Sequence, residues 1–305
     1  MGCDNSKSKE DAMQEAYSEA MKDALIQMAY FHGNESLPTG SAFAEIWKNL
    51  GKLGKHQLTG KFWQLGAVPD SKPDRFPLAS EDAFRELLDC RAEYILGGGS
   101  SQKKKAAQPN ADYDFYLALL DASRCAFGPT LPHFQMAISN RWLTQAGCDV
   151  VLEALRENFE ILDQTAPPYA FIDISRPVET FAGLMYTSIM PASGPLNRWI
   201  ENAQWLRSVQ ENTDQARSVY WGNYFGPGLL EKLGGRAEFV KSYREKARLP
   251  DGSPSALIWE YGNGVFVSLC LDPRQLAPGK SISVAASNMR WLYNRMSDSG
   301  ALMGG

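Results

Sequence analysis

Histidine is scarce in this 305-residue chain, which holds three, and none of its five cysteines belongs to a C-x-x-C pair. The missing pair leaves neither a zinc site nor a thioredoxin-type redox motif. A nucleophilic hydrolase needs a positioned base beside its nucleophile. His32 ends an expected helix, His56 lies in a lysine-rich loop and His133 follows a proline at an expected strand start, so none is placed for that work. G-x-S-x-G, H-E-x-x-H and G-x-x-x-x-G-K-[ST] patterns are absent as well. Gly226-Pro227-Gly228 does not continue to a third glycine, and its proline removes an N–H that a phosphate cradle would use. The expectation is a protein without cofactor, metal or catalytic centre.

A basic excess is missing too. With 31 Lys+Arg against 35 Asp+Glu the net charge is −4, which argues against nucleic acid as the partner and for a basic or neutral one. No apolar run approaches the ~20 residues of a membrane-spanning helix, and the first residues are polar. A soluble, cytoplasmic protein in a reducing compartment is therefore expected. Cys125, Cys148 and Cys270 lie in apolar stretches, as small buried hydrophobes do. Against the cytoplasmic reading stands MGCDNS, which matches the M-G-x-x-x-[ST] acylation pattern and places Cys3 beside Gly2. Read instead as the end of a bacterial lipobox, Gly2-Cys3 would make Cys3 the lipidation residue of an alternative, membrane-anchored periplasmic form.

Apolar residues at helical spacing predict helices over 11–31, 41–53, 81–90, 148–163, 196–211 and 281–297. Strand texture appears at 113–123, 133–143 and 169–174. The runs 255–261 and 264–271 flank Gly262-Asn263, a two-residue hairpin signal. Residues 66–79, with three prolines, read as a loop, and 97–112, with three glycines and three consecutive lysines, as a linker. The expected organisation is a helical N-terminal region (1–96), the linker (97–112) and an α+β domain (113–305). That domain is a mainly antiparallel sheet with helices on one face.

Two helices carry surface signals. In 148–163, Asp149, Glu153, Glu157 and Glu160 recur at intervals of four, four and three and share one face, opposite Val151, Leu155, Phe159 and Leu162. Four like charges on one face either keep it soluble or meet a basic partner. In 196–211, Trp205 falls roughly 140° from the apolar stripe, beside Glu201 and Ser208, where an exposed Trp would anchor an interface. Asp121, Asp272 and His133 are the residues from which an unfamiliar enzyme site would have to be built.

The order YWGNYFGPGLLEKLGG at 220–235, preceded by FAGLMY at 181–186 and followed by IWEYGNGVFVSLCLDPRQLAPG from 258, resembles bacterial immunity proteins of type VI secretion systems. Its pattern is similar to the family paired with VRR-Nuc-type and related nuclease effectors. The likeness spans roughly residues 113–280 and rests on order and pattern. It implies a non-enzymatic protein that binds a cognate secreted toxin and occludes its active or substrate-binding surface. Asp149, Glu153, Glu157, Glu160, Glu201 and Trp205 are then the expected toxin-binding residues. In the Cys3-anchored alternative, the toxin would act on lipid or cell wall.

Overall fold

In the computed structural model the described residues are 24–32, 36–52, 60–64, 75–76, 94–99, 113–120, 133–138, 147–175, 215–216, 218–273 and 283–302. They contain ten strands: β1 (Ala24–Tyr30), β2 (Gly60–Gln64), β3 (Arg75–Phe76), β4 (Tyr94–Gly99), β5 (Tyr113–Leu120), β6 (His133–Ile138), β7 (Tyr169–Ser175), β8 (Gly222–Phe225), β9 (Ile258–Glu260) and β10 (Val265–Ser268). Five helices accompany them: α1 (Gly40–Lys52), α2 (Cys148–Asp163), α3 (Pro227–Lys232), α4 (Arg236–Lys246) and α5 (Ser283–Asp298). All ten strands join one antiparallel sheet in the order β3-β2-β4-β5-β6-β1-β7-β8-β10-β9. The fold is α+β.

The helix expected over 11–31 is corrected over Ala24–Tyr30 by β1, which pairs with β6 on one side and β7 on the other, while 11–23 lie outside the described residues. Its sequence ALIQMAY is nearly continuous in apolar residues, and Leu25, Gln27, Met28, Ala29 and Tyr30 are all buried. A strand buried on both faces loses the polar–apolar alternation that separates it from a buried helix. The boundary at 97–112 does not divide the sheet either. β4 runs to Gly99, inside the expected linker, and β2, β3 and β4 belong to the same sheet as the strands after residue 113. Arg75–Phe76 likewise pair with β2 inside the expected 66–79 loop. The expected helices at 81–90 and 196–211 lie outside the described residues.

Helices cover both faces, not one. Directly paired residues of neighbouring strands share a face, so Ala29, Ala170, Tyr224, Phe266 and Trp259 line one side. Phe159 of α2 packs there against Tyr224 and Phe266, and α1 packs on α2. Phe225, on the opposite side, meets Phe239 of α4 edge-on. Trp291 of α5 in turn packs on Phe239 and Tyr243. β8 and β10 are buried along their whole length, as strands between two helical layers must be.

The aromatic stretch at 218–235 folds as its order suggests. β8 leads through Gly226 into α3, which has Pro227 in its first turn, where the missing N–H costs nothing. Gly234 N–H bonds the Glu231 carbonyl at 3.0 Å and Gly235 N–H the Leu230 carbonyl at 2.8 Å. These paired bonds close the helix in a Schellman cap, and Gly234, at φ +98°, supplies the left-handed residue it requires.

Candidate protein-binding face

Helix α2 has the extent that its periodicity predicts, 148 to 163, and buries Val151, Leu155, Phe159 and Leu162. Asp149, Glu153 and Glu160 are exposed and Glu157 is half-buried, so the four acids do occupy the outer side. Asp149, in the first turn, also meets the positive end of the helix dipole. Arg156 interrupts the row: its Nε and Nη2 donate to the two Glu153 carboxylate oxygens at 3.0 and 2.5 Å. That bond holds the Glu153 carboxyl below the usual range. Asp149 and Glu160 are thus the exposed acids outside that pair, while Glu153 shares its charge with Arg156.

The C-terminal end of α2 is tied to the β9–β10 hairpin. Asp163, buried, accepts a hydrogen bond from the Tyr224 hydroxyl at 2.5 Å and one from the Asn263 backbone N–H at 2.9 Å. The Asn263 side-chain amide donates to the Asp163 carbonyl at 2.7 Å. From the other layer, Arg236 donates to the carbonyls of Tyr261 and Gly262. Arg244 donates to Glu260 at 2.5 Å. The Tyr261 hydroxyl reaches back to the Arg156 carbonyl at 3.1 Å. Its burial, among the carboxylates of Glu160, Asp163 and Glu153, raises its pKa well above the ordinary tyrosine value.

Between α2 and this hairpin lies an open cleft of about 380 Å³, lined by Arg156, Glu160, Asp163, Trp259, Glu260 and Tyr261 among others. Its walls combine aromatic rings and carboxylates with Arg156, whose guanidinium is paired with Glu153. Glu160 has no hydrogen bond or ion pair to any described residue, whereas Asp163 and Glu260 are already engaged.

Of the sequence-derived site residues, Asp149, Glu153, Glu157 and Glu160 come together on α2. Glu201, Trp205 and Cys3 lie outside the described residues, as does Asp121. His133 opens β6, and Asp272 follows β10, four places along the sheet order. Asp272 accepts from the Cys148 thiol at 3.6 Å on its carboxylate and from Cys270 at 3.4 Å on its carbonyl. Cys148 and Cys270 are buried free thiols, in line with their apolar surroundings in sequence. Among the described residues no cluster of three or more His, Cys, Asp or Glu could hold a metal ion, and no helix is long and apolar enough to cross a membrane. Trp259, Glu260 and Tyr261 were legible in sequence as a hairpin strand. Their place in a cleft depends on α2 lying across the sheet, which no local pattern announces.

No protein-family profile matches the chain, and no curated protein does. A solved structure of a Pseudomonas aeruginosa T6SS protein, PA0821, is similar in fold, with a TM-score of 0.58 at 11% identity over 92% of this chain and 76% of that one.

Proposed function

We propose that this protein is an immunity protein of a type VI secretion system, which binds a cognate toxin and blocks its active or substrate-binding surface. The exposed acidic side of α2 carries the reading. A nuclease must present Lys and Arg to phosphates, and an acidic inhibitor face competes for the same surface and steers fast association. The fold likeness to a T6SS protein supports the same assignment. The proposed role is non-enzymatic, without cofactor, and cytoplasmic, where a nuclease toxin would find its substrate.

Co-expression of the protein with the toxin encoded beside it is the direct test. Restored growth together with a stable complex on size exclusion is the expected result. Undiminished toxicity with no complex would overturn the reading.

A further inference from the structure

Among the described residues β9 is the last strand of the sheet, and the hairpin register decides which of its backbone groups face outward. Tyr261 N–H bonds the Gly264 carbonyl at 3.0 Å, and Ser268 N–H bonds the Leu257 carbonyl at 3.0 Å. In an antiparallel ladder, hydrogen-bonded pairs alternate with non-bonded ones. Trp259 therefore turns its backbone groups inward to Phe266, while Ile258 and Glu260, opposite Val267 and Val265, turn theirs outward. No described residue pairs with those outward groups.

The side chains at this edge are not neutral to a visitor. Trp259 points to the α2 layer and stacks on Phe266, with ring centroids 4.3 Å apart. Above it the cleft is bounded by Glu160 and Tyr261. A strand added to β9 would place the side chain opposite Trp259 on the same face, about 5 Å away between Cβ atoms. A Lys or Arg at that point would lie over the indole, a favourable cation–π arrangement, and reach Glu160. The Arg156 guanidinium, which also lines the cleft, has its charge paired with Glu153 by two hydrogen bonds.

We infer that β9 is a strand-addition site for an extended basic segment of a partner protein, whose cationic side chain enters the cleft between Trp259 and Glu160. The main-chain ladder at Ile258 and Glu260 would supply affinity, and the cleft would supply selection for positive charge. This deepens the proposed immunity function by naming how the toxin is held, and it rests on that reading for the identity of the partner.

The test uses the full chain and a short alternating Lys-Thr peptide, with a Glu-Thr peptide as control. Hydrogen exchange read residue by residue should show the Lys-Thr peptide slowing exchange at Ile258 and Glu260 by about tenfold or more, with little change at Trp259, whose N–H is already bonded. The Glu-Thr peptide should do nothing. Ile258→Pro removes an outward donor and no ladder bond, so it should abolish the effect. Glu160→Lys, on the surface of α2, tests the cleft without touching the strand and should weaken it about tenfold. No protection, protection elsewhere, equal protection by Glu-Thr, or wild-type response from both variants overturns the inference. Concentration-dependent protection without peptide would assign the edge to a second copy of the chain and overturn it too. Co-expression separates the two claims. If both variants neutralise the toxin as wild type does, the edge proposal falls and the immunity reading stands. If wild type fails to neutralise while the peptide still binds β9, the reverse holds.

Discussion

Gly264 shows how one atom can fix a packing arrangement. A Cβ there would lie 2.2 Å from the Tyr224 ring, and that ring is pinned by its hydroxyl bond to Asp163. The neighbour cannot swing aside, so Gly264→Ala is expected to cost about 1–3 kcal/mol through overpacking, read as a lowered denaturant midpoint. Gly228→Ala is the control, since nothing lies within 4 Å of a Cβ at that site. Gly264 was visible in sequence only as the residue after a Gly-Asn turn. What makes it necessary is Tyr224 on the paired strand, forty positions earlier in the chain.

At the scale of elements, helix α2 and the hairpin behave as one unit because Asp163 and Asn263 join them across 100 residues of sequence. Asp163→Ala would leave the buried Tyr224 hydroxyl and the Asn263 N–H without their acceptor. The expected loss is about 2–3 kcal/mol, together with faster amide exchange at the hairpin turn. The Glu153–Arg156 pair is a different case: both side chains are largely exposed, and pairs of this kind contribute little to stability. Its substitution is expected to leave the unfolding midpoint nearly unchanged. Both elements were legible beforehand, α2 from its stripe of Val151, Leu155, Phe159 and Leu162, the hairpin from Gly262-Asn263. Their union was not, since a carboxylate at a helix end carries no mark of the turn it will cap.

Two expectations concern the molecule as a whole. Burial raises the pKa of Tyr224, Tyr243 and Tyr261 above the ordinary 10.0 and pushes the Cys270 thiol up to about 11 from 9.0. Each group holds its proton more tightly folded than unfolded. Their contribution to stability is complete below the unfolded values and declines as pH rises from about 9 through 11 and beyond, because the unfolded chain releases protons first. Denaturant midpoints measured from pH 8 upward should fall across that range, and Tyr243→Phe should make the fall shallower. The second expectation is electrostatic. If the proposed immunity function holds, reversing Glu153 and Glu157 to Lys should weaken toxin binding, chiefly through association rate, and flatten its salt dependence. Unchanged affinity in a salt titration would leave the acidic side of α2 as a solubility feature.

Local pattern was enough to determine α1, α2, the Gly262-Asn263 hairpin, the passage from β8 through Pro227 into α3, and the acidic row on α2. In each of these the deciding interactions lie within a few residues, where periodicity and turn chemistry act. The same signals point to a helix at β1, since Leu25 and Gln27 to Tyr30 are all buried and carry no alternation to betray a strand. Only the tertiary structure decided that β1 lies between β6 and β7, that helices close both faces, and that Trp259 and Glu160 share a cleft at the sheet edge. These follow from pairings between residues far apart in the chain, which hydrophobic burial rewards without leaving a periodic trace in either partner.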